Sequence, residues 1–379
     1  MQNIITQKGE PLLIIHDIII TRYSKEERME ISFLSFLNNL ISNYSLLITT
    51  VLISIVMFIN GCSDVPNAIA TCISTRSVRP KVGIVLALIS NTLGLILMTY
   101  ISSNVAKSVY NLVNFGGDPS TSLVTLCCAL VGISIWCLIA LKFGIPSSQS
   151  HALIAGISGA AIALMGNFSA INFSEWKKVL YGLIIINLLA FILGYIIIKI
   201  IELICKEMDR RKTNKFFKFS QIIGALTTCF MNGAQDGQKF MSFMLLGVVL
   251  SNGMIPGSTN FSIPIWLMIY TSIIISLGTL IGGMKIIKTM GTKVTKVESY
   301  QGTAADLASS ICLFASSMFG LPVSSNHTKN CAVMGVGASK RLSNVNWNIA
   351  KNIVLTWFLT FPICGLLGYI LTKVVINII

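Results

Sequence analysis

From Val179 to Lys199 the chain carries a single amide, Asn187, and meets no charge until Lys199 itself. About 20 apolar residues cross the hydrocarbon layer of a membrane as a helix, and this run has that length and that character. Further apolar blocks lie at 44–59, 82–101, 122–141, 152–166, 219–231, 240–256, 262–287, 303–319, 328–338 and 348–379. Of the 379 residues, 54% are hydrophobic and 11% charged, whereas soluble domains carry about 25% charge. A membrane barrel would instead be built from short segments of alternating hydropathy. The expected fold class is therefore an all-α polytopic membrane protein with about ten to twelve transmembrane helices. Several blocks are too short to span alone, and Pro362 interrupts the last, so some helices are expected to be broken.

The net charge of +14 could point to nucleic acid, but its distribution does not. The densest basic run, Lys206, Arg210, Arg211, Lys212, Lys215 and Lys218, sits between two apolar blocks. Short Lys/Arg-rich loops stay in the cytoplasm, so 205–218 reads as a basic cytoplasmic loop, with anionic lipid as its natural neighbour. The chain then divides into an N-terminal polar and amphipathic segment (1–43), a first transmembrane unit (44–204), that loop (205–218) and a second unit (219–379). The run Leu12–Ile20 is broken by His16 and Asp17 and does not make a signal peptide. Ten cysteines occur without a Cys-x-x-Cys pair, so free thiols are expected and neither a zinc site nor a redox motif is indicated.

An internal repeat is the most informative feature. Asn60-Gly61-Cys62-Ser63-Asp64-Val65-Pro66-Asn67 matches Asn232-Gly233-Ala234-Gln235-Asp236-Gly237-Gln238-Lys239 at an offset of 172 (232 − 60). Gly144-Ile145-Pro146-Ser147-Ser148-Gln149-Ser150-His151 matches Gly320-Leu321-Pro322-Val323-Ser324-Ser325-Asn326-His327 at an offset of 176 (320 − 144). A third echo pairs Trp176 with Trp347, each followed by an apolar run that ends in Gly194-Tyr195 or Gly368-Tyr369. Membrane proteins with two such halves are typically transporters, with the site where the repeats meet.

Asp64 and Asp236 follow apolar runs, and an ionisable residue at membrane depth is a functional candidate by default. Pro146 and Pro322 suit the first turn of a helix. Ser147, Ser148 and Ser150, with Ser324, Ser325 and Asn326, would then sit among free backbone N–H groups at the positive end of the helix dipole. That is an anion site. His151 and His327 occupy equivalent positions and are candidates either for proton transfer or for a structural hydrogen bond. Lys239 could pair with an aspartate or meet the anion, and Asp306 could be a cation site or a structural partner. An anion beside carboxylates becomes coherent if a cation such as Na⁺ is co-bound. It is also coherent if the anion brings its own O–H to a carboxylate, as phosphate does and sulfate does not. No nucleophile–base pair or metal cluster stands out, so an enzyme is not expected and no cofactor is implied.

These motifs resemble those of the PiT inorganic phosphate transporters. That family carries Gly-Ala-Asn-Asp-Val-x-Asn in its first half and Gly-Ala-Asn-Asp-Val-Gln-Lys in its second, with Pro-Val-Ser-Thr-Thr-His in both. The resemblance covers about residues 45–375 and four motif copies in order. It implies a secondary symporter with inverted repeats that imports inorganic phosphate with Na⁺ or H⁺, as a homodimer in the plasma membrane, and no nucleic-acid partner. Carried over by position, the substrate-binding candidates are Asp64, Asn67, Ser148, Gln149, Ser150, Asp236, Lys239, Ser324, Ser325 and Asn326. The coupling-cation candidates are Asp64, Asp236, Asp306 and Asn91, with Na⁺ held at the aspartate motifs. Ser63, Gln235, Gln149 and Asn326 replace family Asn and Thr residues, and Pro66 and Gly237 alter the backbone. The competing readings are a permease for sulfate or another tetrahedral oxyanion, and a membrane phosphate sensor that does not translocate.

Overall fold

The structure, a computed structural model, describes residues 32–116, 118–143, 147–254, 261–293, 298–341, 345 and 347–378. Most of the expected N-terminal segment therefore lies outside the described residues, as do Gly144, Ile145 and Pro146. Twelve helices are present among the described residues: α1 (Phe33–Ser42), α2 (Tyr44–Ser74), α3 (Pro80–Ile101), α4 (Asn104–Tyr110), α5 (Pro119–Phe143), α6 (Gln149–Met165), α7 (Phe173–Ile204), α8 (Arg210–Ser251), α9 (Ile265–Lys293), α10 (Ser299–Met318), α11 (Ser325–Lys340) and α12 (Trp347–Ile376). The fold class is as expected. Six of these helices are long and apolar enough to cross a membrane (α2, α3, α5, α7, α9 and α12). Their outward residues, such as Ile184, Ile185, Leu188, Val85, Ile89 and Leu93, are exposed. This is the surface of a multi-pass integral membrane protein, apolar outside where lipid is the solvent.

The polar helices are inside. Arg210–Ser251 runs unbroken for 42 residues, about 63 Å at ~1.5 Å per residue. Hydropathy splits it into blocks 219–231 and 240–256 with the aspartate motif between them, yet the chain stays helical there. Its neighbours supply hydrogen bonds to most of its buried polar side chains, Gln235, Gln238 and Lys239 among them, which offsets the cost of burying them. The expected 205–218 loop is shortened for a related reason: Asp209 accepts from the Arg211 N–H at 2.8 Å and starts α8 at residue 210, so most of the basic run is helical. Pro66 likewise lies inside α2 without ending it. The breaks fall elsewhere, ahead of α6 and α11, which are 17 and 16 residues long and start at depth within the molecule.

Helix pairing exchanges the two sequence halves. Gly61 of α2 lies against the Ile275 carbonyl of α9, and its repeat equivalent Gly233 of α8 lies against the Asn91 carbonyl of α3. Gly278 meets the Phe58 carbonyl as Gly94 meets that of Phe230. Gly159 meets Gly365 as Gly335 meets Phe191, and Gly368 meets Gly156 as Gly194 meets Ala332. At each crossing a Cβ would collide with backbone, which is why small residues occupy these positions in membrane helix packing. The Gly194/Gly368 echo thus marks equivalent places, while the two tryptophans stand 18 and 21 residues ahead of them (194 − 176 and 368 − 347) and fall out of register.

Candidate functional site

The four motifs meet at one buried centre. Asp64 and Asn67 stand one turn apart on α2, and Asp236 and Lys239 hold the same spacing on α8. The N-termini of α6 and α11 face them. Ser148 caps α6 by accepting from the His151 N–H at 3.3 Å. Ser324 is the N-cap residue of α11, so Pro322 lies ahead of the helix rather than in its first turn. The geometry repeats across the two halves. Asn67 donates to Asn326 at 2.7 Å, and its equivalent Lys239 donates to Ser150 at 2.9 Å. The imidazoles of His151 and His327 face one another with centroids 5.1 Å apart. Equivalent residues in mutual contact are the mark of a two-fold relation.

Chemistry breaks that symmetry. The Lys239 ammonium donates to Asp236 Oδ1 at 2.9 Å, to Ser150 and to the Val323 carbonyl, which uses all three of its N–H bonds. Ser325 completes the group by donating to Asp236 Oδ2 at 2.9 Å. Asp64 has no such fixed cation. It accepts from the Ser63 hydroxyl at 2.6 Å and from Asn326, and senses the charges of Asp236 and Lys239 only across space. Gln149 donates to Ser63 at 3.0 Å, while its buried Oε1 has no partner. With both carboxylates ionised, the centre carries two negative charges and one positive charge.

Of the remaining candidates, Asp306 lies apart from this group. Asn91 is buried in α3 with its carbonyl against Gly233. Asp306 forms an ion pair with Lys329 beside Thr228, which is eight residues, or about 12 Å, from Asp236 along α8. The histidines pack against aromatics of α12, His151 stacked on Phe361 with centroids 5.0 Å apart and His327 tilted against Trp357 at 4.5 Å. Among the described residues no cluster could hold a metal through His, Cys, Asp and Glu alone, and all ten cysteines are free.

Three further residues carry no assigned role in the sequence reading, although Gln235 stands out there as a replacement within the aspartate motif. Gln235 donates to Ser316 at 2.9 Å and to Ser317 at 3.0 Å, and Gln238 ties Ser102 to the Ala106 N–H. Lys329 is the third. The glutamines flank Asp236 and Lys239 on α8, and Lys329 is a charge within an apolar block, so each left a signal in the sequence.

A model of the phosphate transporter family matches residues 60–368. The chain belongs to the phosphate transporter family. A family member of Bacillus subtilis (strain 168), named a probable low-affinity inorganic phosphate transporter, is 39% identical over 332 residues, covering 86% of this chain and 96% of that one. A protein of the same name from Rhizobium meliloti (strain 1021) is 33% identical, covering 82% and 90%. Among solved structures, one titled "The sodium-dependent phosphate transporter" superposes with a TM-score of 0.81 at 22% identity, covering 89% of this chain and all of that one; it supports the fold. As a member of this transporter family, the protein is not an enzyme.

Proposed function

We propose that this phosphate transporter family member imports inorganic phosphate by symport with Na⁺ or H⁺, binding it where the two repeats meet. The observation that carries the reading is the convergence of two helix N-termini, α6 and α11, on Lys239, Asp64 and Asp236. Helix N-termini and the ammonium favour an anion. The carboxylate without a fixed counter-charge, Asp64, favours a mobile cation or a proton beside it. Phosphate also brings an O–H that a carboxylate can accept, whereas sulfate would leave two negative oxygens opposed. In this reading residues 44–204 and 219–379 are the two repeats, inverted in the membrane so that the site lies near its midplane. Pairing of two copies belongs to the same proposal and rests on the family resemblance alone.

The test is uptake of radiolabelled phosphate into proteoliposomes, with Na⁺ and proton gradients imposed one at a time and sulfate as competitor. Uptake that responds to one gradient and resists sulfate is expected. Uptake indifferent to both gradients would refute symport, and equal competition by sulfate would refute the role given to the carboxylates.

A further inference from the structure

Leading away from the central site, α8 carries Gln235, Thr228 and Gln221 at seven-residue spacing, which keeps one helix face, and all three are fully buried. Gln235 and Thr228 face hydroxyls from α10, and Gln221 faces those of the turn that follows α2. Gln235 bonds Ser316 and Ser317. Thr228 contacts Ser310 at 3.1 Å and Ser309 at 3.4 Å. Gln221 accepts from Thr75 at 2.7 Å and Ser77 at 2.8 Å, and its amide nitrogen has no partner. Glycines give the seam its room: Gly302 lies under the Gln221 amide and Gly224 under Asp306. The seam ends at a cavity of about 610 Å³ at the basic end of α8, lined by Thr75, Glu202, Lys206, Lys218, Glu298 and Ser299. Midway, the Asp306–Lys329 ion pair bridges α10 to α11, with Lys329 in electrostatic reach of the buried thiols of Cys72 and Cys229.

The repeat supplies an internal control for whether packing demands these groups. At the equivalent places in the first half, Thr228 becomes Val56, Asp306 becomes Leu130, Ser309 becomes Ile133 and Lys329 becomes Leu153. All four are fully buried in the core. At these four places, the ion pair's included, the same helix arrangement is thus filled by aliphatic side chains, while Gln221, Gln235 and Ser310 have the polar equivalents Thr49, Ser63 and Ser134. A buried ion pair is weak evidence of stability in any case. Ionisable groups kept inside a membrane protein mark ion or substrate pathways.

We propose that this seam is the route between the central site and the basic face of the protein, and that the Asp306–Lys329 pair is its plug. Parting the pair opens the route. It also offers a fixed ammonium to an anion in passage and a fixed carboxylate to its cation. The transported species rests on the function proposed above; the plug does not.

Native cysteines report on it. Detergent-solubilised full-length protein is treated with a water-soluble maleimide, and modification of Cys72 and Cys229 is followed by peptide mass mapping. Lys329→Met leaves a buried charge unpaired, and Asp306→Asn with Lys329→Gln removes the attraction. Each is expected to speed labelling about tenfold or more. Unchanged labelling in both would overturn the plug. The pair Asp306→Leu with Lys329→Leu copies the first half and dries the seam. It is expected to bind phosphate within about twofold of wild type and to lose about tenfold in uptake. Wild-type uptake in that variant would overturn the route. Wild-type protein that neither binds nor moves phosphate would refute the proposed function and leave the labelling result to decide the plug.

Discussion

Replacing Lys239 by Met isolates what the ammonium does, because Met keeps the length of the side chain and little volume is lost. Three groups lose their donor at once: Asp236 Oδ1, the Ser150 hydroxyl and the Val323 carbonyl. Asp236 is then a buried carboxylate held by Ser325 and no cation. Breaking a buried ion pair by removing one partner costs about 3–5 kcal/mol, and each orphaned buried polar group costs about 1–3 kcal/mol. The three share one donor, so the costs overlap and about 4 kcal/mol is expected for the single variant. Asp236→Leu combined with Lys239→Met removes both charges and is expected to fall within about 2 kcal/mol of wild type. Reversible unfolding of the protein in mixed micelles measures both, and phosphate binding, lost in both, is measured alongside. A cost below about 1 kcal/mol for Lys239→Met, or a double variant no more stable than the single one, would refute the reasoning.

Asn67→Ala and Asn326→Ala remove one inter-helix hydrogen bond from either side. A double-mutant cycle on thermal unfolding should return a coupling of about 0.6 kcal/mol, and zero coupling would mean the bond contributes nothing. Gly61→Val and Gly233→Val drive a side chain into the carbonyls of Ile275 and Asn91. Each should cost at least about 1–3 kcal/mol and lower the melting temperature, whereas Gly365→Ala, whose Cβ would meet its nearest atom at 3.6 Å, should be tolerated; the reverse order would undo the packing argument. Asp118 opens α5 at the surface, where the Thr121 hydroxyl and N–H hold its carboxyl below the usual aspartate range. A depressed carboxylate stabilises at pH above its unfolded value and ceases to as pH falls through the folded one. Hydrogen-exchange protection in the first turn of α5, corrected for intrinsic rates, should therefore be flat from about pH 8 to about pH 5 and decline below about pH 4. Loss of protection already near neutrality would contradict that capping role.

The residues of the centre were legible because their positions recur in both halves, with polar side chains each time. Asp64 with Asp236, and Ser148 with Ser324, are conspicuous as repeated polar groups in apolar surroundings. The continuity of α2 and α8 was not legible. A hydropathy window takes Asn60–Asn67 and Asn232–Lys239 as interruptions, since their partners belong to helices remote in sequence, such as Asn326 for Asn67 and Ser150 for Lys239. The same limit hid Lys329. Asp306 and Lys329 lie in successive apolar blocks, and only their meeting across α10 and α11 turns two anomalies into one pair. The repeat offsets also say which segments are equivalent, not which ones touch. Nothing in them foretold that Gly61 would rest on the far half of the chain.

That exchange constrains motion. Gly61 and Gly278 lock α2 to α9, and Gly94 and Gly233 lock α3 to α8. The remaining crossings bind α6 to α12 and α7 to α11. Each locked pair takes one helix from either half of the gene. A carrier that exposes its site alternately to two sides must move some bodies against others. A body that keeps these glycine crossings intact cannot coincide with a sequence half, because each of the four locked pairs is a hybrid. Neither half severed at the basic segment could complete a crossing alone, so a functional split protein would need both pieces inserted together.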